Sequence, residues 1–240
     1  MSRILILRLE GVLQSWGLRS RWNGRDSGLF PSKSGLVGLL ACAMGLRRDD
    51  RKIASLQNAL QLAVRADKPG KLLWDYQTIT RFGARLNAST GSQRTMEGTI
   101  KLYHHQMMMD EESRASGIGI RDTIISQRQY LQDASFTAFI SGPDDLLEAS
   151  AKALQAPKWQ IYLGRKSCPP CTPVFLELTD QYQTLLEAAS GYPLRQGSTY
   201  PVLCEIDSPQ GKTLRQDLVI KSGTDYAYRR LDMISLKGDA

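Results

Sequence analysis

The stretch Asp133–Ala156, DASFTAFISGPDDLLEASAKALQA, contains a predicted strand followed at once by a predicted helix. Residues Asp133–Ile140 alternate small and aromatic side chains, a pattern that is typical of a strand. Asp144–Ala156 is predicted as a helix, because acidic residues open it favourably and Pro157 prevents it from continuing. Gln160–Leu163 is predicted as a short strand after the helix. The stretch therefore predicts a strand–helix–strand unit.

A similar unit precedes it in the chain. Ile4–Leu9 is a nearly continuous apolar run and is predicted as a buried strand. A helix follows, with Ser32 or Ser34 as its N-cap and Gly45 just beyond its end, and Leu60–Arg65 is the next strand. Two such units predict an α+β protein with a ferredoxin-like domain, the topology that RNA-recognition motifs also use.

The remaining segments predict an insertion and a C-terminal part rich in strands. Residues 67–125 are irregular and indicate a long hairpin that projects from the core. The C-terminal part is predicted to contain a helix and three strands: Gln181–Ala189, Tyr200–Ile206, Leu218–Lys221 and Ala227–Leu236. We expect a ferredoxin-like domain over residues 1–170, with the insertion at about 80–125, and a smaller β-rich subdomain over residues 171–240.

The charge of the chain is unevenly distributed. Its 240 residues include 31 Lys and Arg against 24 Asp and Glu, a formal net charge of +7. Residues 1–65 alone carry 11 basic and four acidic side chains, so the rest of the chain is balanced. The excess predicts a polyanionic partner for the N-terminal quarter, with a solvated basic face as the alternative. No apolar run approaches the roughly 20 residues of a membrane span, and a cytoplasmic protein without membrane contact is expected.

Two basic segments are candidates for nucleic-acid binding. In LQSWGLRSRWNGR (Leu13–Arg25), aromatic residues alternate with arginines, a composition that suits single-stranded RNA. The candidates in this segment are Trp16, Arg19, Arg21, Trp22 and Arg25. Burial of Trp16 in the core is the alternative for that residue, and Trp22 is the better candidate for stacking. In the second segment, Lys33 and Ser34 at the start of the first helix form a possible phosphate site, or belong to an ordinary capped helix.

The stretch YLGRKSCPPC (Tyr162–Cys171) ends in two cysteines separated by two prolines. The prolines prevent a helix from starting at this pair, which disfavours thiol exchange. A zinc site needs two further ligands that the sequence does not supply convincingly, so we predict no metal and no cofactor. The informative part is then the turn before the cysteines, with its cations Arg165 and Lys166.

Five segments, in this order along the chain, resemble the CasD family, the Cascade subunit of type I-E CRISPR systems that holds the 5′ end of the guide RNA. They are LILRLEGVLQSWG (Leu5–Gly17), FPSKSGLVGLLACAMGLRRDD (Phe30–Asp50), DYQT (Asp75–Thr78), RQYLQDASF (Arg128–Phe136) and YLGRKSCP (Tyr162–Pro169). The resemblance implies a RAMP-type ferredoxin-like domain with a thumb hairpin at about residues 80–125. It also implies a non-catalytic subunit that caps the 5′ handle of crRNA.

The resemblance further implies partners and binding residues. The partners are the backbone subunit that coats the spacer, the large subunit of Cascade and, through the complex, the target DNA. The matched positions that would hold the handle are Gln14, Trp16, Lys33, Ser34, Arg48, Arg128, Arg165 and Lys166. Arg19, Arg21 and Arg25 rest on their chemistry alone. Relatives in type I-C systems cut precursor RNA without a metal, so an endoribonuclease that uses His104, His105 or Tyr76 as its base is the alternative.

Overall fold

The computed structural model describes residues 3–18, 24–80, 123–221 and 225–237. Within these ranges the strands are β1 Ile4–Glu10, β2 Leu13–Gln14, β3 Gly24–Arg25, β4 Gln61–Lys68, β5 Lys71–Thr80, β6 Thr123–Gln132, β7 Ser135–Ser141, β8 Phe175–Thr179, β9 Val202–Asp207, β10 Thr213–Lys221 and β11 Asp225–Leu236. The helices are α1 Lys33–Met44, α2 Arg51–Ala59, α3 Asp144–Gln155 and α4 Leu185–Gly191. None of these helices combines the length and the apolarity that crossing a membrane requires.

A seven-stranded antiparallel sheet, in the order β10-β11-β9-β4-β7-β1-β8, forms the centre of the fold. Strand β1 pairs with β7 along its whole length, from Ile4 opposite Ser141 to Glu10 opposite Ser135. Alternate residues of β1 point to opposite faces of the sheet. Leu5 and the leucines at every second position after it belong to the core that contains α1 and α3, whereas Ile4 and Ile6 belong to the core that contains α4. Burial on both faces explains why this strand is almost entirely apolar.

A smaller sheet brings parts of the N-terminal segment next to β6. Strands β2, β3 and β5 each pair with β6. Leu13 lies opposite Gln132, and Gln14 lies opposite Leu131. An isolated bridge joins Trp16 to Gly28. The candidate binding segment Leu13–Arg25 therefore begins and ends in short strands.

The chain divides into two compact units. One consists of Met1–Asp75 with Arg128–Ala240, and the other is Tyr76–Gln127. Strands β9, β10 and β11 continue the main sheet through the pairing of β9 with β4. The division into 1–170 and 171–240 stays a prediction. The insertion expected at about residues 80–125 lies almost wholly outside the described residues.

Several local predictions are confirmed and others are wrong. Ser32 is the N-cap of α1 and accepts a hydrogen bond from the Gly35 N–H at 3.1 Å, and Gly45 ends the helix with φ of 70°. The predicted α+β class is also confirmed, since the described residues form a large antiparallel sheet and four helices. The strand predicted at Gln160–Leu163 is wrong, because this segment is irregular and β8 pairs with β1 instead. No helix was predicted for the residues that form α2.

Candidate nucleic-acid interface

Gln14 and Trp16 are core residues. Gln14 is fully buried, and its Nε2 donates to the carbonyl oxygens of Leu9 at 2.9 Å and Ala134 at 2.8 Å. Its Oε1 accepts a hydrogen bond from Trp16 Nε1 at 3.0 Å. The Trp16 ring is 1% exposed and lies against Gly35 in the first turn of α1. The side-chain polar atoms of this pair are thus used inside the fold, and the alternative of a buried Trp16 is confirmed.

The predicted phosphate site at the start of α1 is occupied by carboxylates of the same chain. Lys33 Nζ lies 3.1 Å from Asp207 Oδ2, and the Lys33 N–H donates to Asp217 Oδ2 at 2.9 Å. Lys33 is 8% exposed, so its charge is neutralised inside the protein. Ser34 Oγ lies 3.3 Å from Ser32 Oγ, as in an ordinary capped helix. The first free amide of the helix therefore already has an anionic partner.

Arg25, Arg128 and Arg165 form a group of three arginines that we call the guanidinium cluster. Arg25 ends β3, and Arg128 lies on β6. Arg165 follows the irregular segment Gln160–Leu163, which was predicted as a strand. The Arg165 guanidinium donates to the carbonyl oxygens of Arg25 at 3.1 Å, Asp26 at 3.4 Å and Gln129 at 3.3 Å. These bonds fix Arg165 against the edge of the small sheet without using a carboxylate.

Tyr130 supports the cluster from within β6. The guanidinium carbon of Arg165 lies 4.9 Å from the centre of the Tyr130 ring, a cation–π distance. Arg128 and Tyr130 are two residues apart on the strand, so their side chains leave it on the same face. Sequence reasoning missed Tyr130, although this alternation and its place in the matched segment RQYLQDASF were available as signals.

The electrostatics of the guanidinium cluster favour an anion. Burial lowers the pKa of Arg25 below its usual value, and the positive charges of Arg128 and Arg165 lower it further. Arg128 Nε is buried and has no hydrogen-bond partner among the residues that the structure describes. A buried donor without a partner costs about 1–3 kcal/mol. An anion bound beside the three cations would reduce the repulsion between them.

The turn Gly164–Ser167 places Arg165 and exposes Lys166. Gly164 has φ of 88°, and a Cβ at this residue would collide with the carbonyl oxygen of Ser15. The Ser15 N–H donates to the Leu163 oxygen at 3.0 Å, which holds the turn close to the β2 segment. Lys166 and Ser167 are exposed beside it. The close backbone approach explains why this turn requires glycine.

The two cysteines after this turn differ in environment. Cys168 is buried, and burial raises the pKa of its thiol, while Cys171 is exposed. Both thiols are free, and neither belongs to a group of three or more metal-binding side chains within the described ranges. The raised pKa of Cys168 disfavours the thiolate that exchange chemistry requires.

The other candidate residues are not shown in contact with the guanidinium cluster. Arg48 is exposed in the turn between α1 and α2. Tyr76 is exposed on β5. The remaining candidates lie outside the described residues: Arg19, Arg21, Trp22, His104 and His105. Of the predicted binding residues, the structure thus brings together Arg25, Arg128, Arg165 and Lys166.

Comparison with known proteins shows similarity over nearly the whole chain. A family model described as CRISPR-associated protein (Cas_Cas5) matches residues 4–230. The CRISPR system Cascade subunit CasD of Escherichia coli (strain K12) is 32% identical over 244 residues, which covers 94% of this chain and 99% of that protein.

Two solved structures are similar as well. One, described as a crystal structure of a Cas protein, has a TM-score of 0.68 and 30% identity, covering 98% of this chain and 95% of its own. Another, described as a CRISPR RNA-guided surveillance complex, has a TM-score of 0.69 and 28% identity, covering 98% of this chain and 90% of its own. The resemblance inferred from five sequence segments is confirmed, and the chain belongs to the Cas5 family of CRISPR-associated proteins.

Proposed function

We propose that this protein is a non-catalytic RNA-binding subunit of a type I-E Cascade surveillance complex, in which it caps the 5′ handle of crRNA. A relative of nearly equal length is a Cascade subunit, and a similar chain occurs in an RNA-guided complex. Its partners are then crRNA, the backbone subunit and the large subunit, with target DNA reached through the complex. Strands β1, β4, β7 and β8, with α1 after β1 and α3 after β7, are the six-element ferredoxin-like unit of this proposal.

The guanidinium cluster is the observation that carries the proposal. Three arginines lie close enough for two of them to lower the pKa of the third, and Arg128 Nε is buried without a described partner. Arginine is the side chain best suited to bind phosphate oxygens with paired donors. Lys166 lies exposed on the adjoining turn, where it can extend the binding surface along the RNA backbone. We assign the handle to this surface.

The test measures binding of a labelled handle RNA to the full-length chain as a function of salt concentration. The Arg165→Ala, Lys166→Ala double variant is expected to bind about tenfold more weakly, with a salt slope reduced by about 0.7 for each phosphate that the variant no longer neutralises. Lys166→Ala alone tests an exposed side chain that does not hold the turn together. A Lys212→Ala, Lys237→Ala variant is the control, because both lysines are exposed and are distant in sequence from the turn that carries Arg165 and Lys166. Equal affinity of all variants would contradict the assignment.

The non-catalytic role has its own test. The purified chain is incubated with labelled precursor crRNA in EDTA, and the RNA is separated by size. We expect intact precursor, since the cluster provides cations but no proton acceptor. Cleavage at the base of the repeat hairpin would establish the metal-independent endoribonuclease instead.

A further inference from the structure

A second group of cations lies at the C-terminal end of α1. We call it the basic turn, and it consists of five exposed side chains: Arg47, Arg48, Arg51, Lys52 and Lys158. Four of them follow the helix end directly in sequence. Lys158 joins them from the loop after α3, because its N–H donates to the Ala43 oxygen at 2.8 Å and its side chain lies over Gly45. The fold thus brings a distant lysine to a segment that is already basic.

The charges of the basic turn are not neutralised by the surrounding protein. Within the parts of the chain that the structure describes, none of the five cations forms an ion pair. The adjoining acids are Asp49 and Asp50, and Asp50 is engaged as the N-cap of α2, accepting from the Lys52 N–H at 2.9 Å. Five cations against two acids leave an excess of three positive charges on one exposed surface.

The position of two of these cations is unfavourable for the helix that carries them. Arg51 and Lys52 are the first two residues of α2, and the first turn of this helix contains no acidic residue. The amino end of a helix carries a partial positive charge, so cations are disfavoured there. The Asp50 carboxylate caps this helix start, and beside it the side chains of Arg51 and Lys52 are exposed and available to an external anion.

We propose that the basic turn is a second nucleic-acid contact surface, which holds the phosphate backbone of a double helix; this goes beyond the proposed function. The handle is assigned to the guanidinium cluster, whereas the basic turn lies at the C-terminal end of α1, and Trp16 lies against Gly35 at the opposite end of this helix. A helix of 12 residues is about 18 Å long, so the basic turn and the Trp16 end of α1 contact separate parts of any nucleic acid.

The chemistry of the surface favours a duplex over a single strand. A duplex carries one negative charge per about 1.7 Å of axis, and long exposed cations can contact its phosphates without reading bases. Single-stranded binding usually adds aromatic side chains on which successive bases stack. One exposed aromatic, Trp159, adjoins the basic turn. Substituting this residue therefore distinguishes duplex binding from single-strand binding.

The experiment uses the full-length chain and a short labelled DNA duplex of arbitrary sequence. The test variant carries Arg47→Gln, Arg51→Gln, Lys52→Gln and Lys158→Gln. The matched control removes four exposed cations elsewhere, through Lys68→Gln, Lys71→Gln, Lys212→Gln and Lys237→Gln. We expect the test variant to bind the duplex at least about tenfold more weakly, with a salt slope that is smaller by about three to four. The control is expected to stay within about twofold of the unmodified chain, since direct neutralisation of phosphates rather than net charge decides the affinity.

Three results would overturn the proposal: no measurable duplex binding by the unmodified chain, equal losses of affinity in test variant and control, or unchanged duplex affinity in the test variant. Trp159→Ala is expected to leave duplex affinity unchanged, and a loss of single-stranded RNA binding alone would assign the surface to a single strand instead. Handle RNA is measured in parallel. If the unmodified chain fails to bind the handle but the duplex results hold, the proposed function fails and this inference stands.

Discussion

Replacing Arg128 with methionine separates the stability of the chain from its binding of RNA. Methionine keeps much of the apolar stem but removes the charge and the buried Nε–H. Leaving that donor without a partner costs the folded chain about 1–3 kcal/mol, and the repulsion between Arg128 and Arg25 adds to this cost. Removing the donor and the charge stabilises the folded chain, and weaker packing of the side-chain stem offsets part of this stabilisation. We therefore expect the free energy of unfolding to rise by about 1 kcal/mol.

The same substitution is expected to weaken binding of handle RNA. Hydrogen bonds to charged groups contribute about 1.5–3 kcal/mol each, so removing one corresponds to at least a tenfold loss of affinity. Stability is measured by urea unfolding and by the melting temperature, which should rise by about 2–4 °C in a chain of this length. Affinity is measured by fluorescence anisotropy with labelled RNA. Opposite changes in stability and affinity are the signature of a site built for an anionic ligand.

Lys237→Met is the control for Arg128→Met. Lys237 is exposed and has no ion pair within the described ranges, so its replacement is expected to change stability by less than about 0.5 kcal/mol. The reasoning fails if Arg128→Met lowers the free energy of unfolding by more than about 1 kcal/mol while RNA affinity is retained. That outcome would show that Arg128 is a structural residue and that the guanidinium cluster stabilises the fold without a ligand.

Two further predictions concern the fold around the site. Gly164→Ala should lower the free energy of unfolding by at least about 1 kcal/mol, because a Cβ collides with the Ser15 carbonyl oxygen and φ is 88°; an unchanged urea midpoint would contradict this. Glu10 should contribute to acid stability: its hydrogen bond with Arg195, at 2.6 Å, is the main cause that lowers the pKa of its carboxyl group. Because the folded pKa lies below the unfolded one, the contribution is present above about pH 4.3 and is lost as the pH falls further. Arg195→Gln should flatten this part of the pH–stability curve, while a curve of unchanged shape would refute the assignment.

The local features of the fold were predictable from the sequence because they depend on neighbouring residues. The N-cap Ser32 and the helix-ending Gly45 follow from short-range rules, and both are confirmed. The role of Lys33 was not predictable in this way. Its carboxylate partner Asp207 lies 174 residues further along the chain, and only the tertiary fold brings the two together. A cation at a helix start therefore looks the same in sequence whether it binds a ligand or closes an internal ion pair.

The predicted strand at Gln160–Leu163 failed for a related reason. Ile161 and Leu163 are buried at alternate positions, as they would be in a strand, but the segment does not form one. The Leu163 oxygen accepts from Ser15, and the Leu163 N–H donates to the Cys168 oxygen at 2.7 Å, which folds the segment into a turn. Hydrogen bonding with the distant β2 segment thus replaces the ladder that a strand would form. This replacement is what directs Arg165 toward β6.

Arg65 shows how this protein buries an arginine that has a structural role. Its side chain is fully buried on β4, yet its guanidinium donates to Asp67 and to three carbonyl oxygens around the end of α4. Arg128 also has a buried guanidinium nitrogen, but that nitrogen has no described partner, and the charge of Arg128 lowers the pKa of Arg25. Buried polar groups in folded proteins are nearly always hydrogen-bonded. Since the same chain satisfies Arg65 completely, the unpaired Arg128 Nε supports the proposal that an anionic ligand, such as an RNA phosphate, completes the guanidinium cluster.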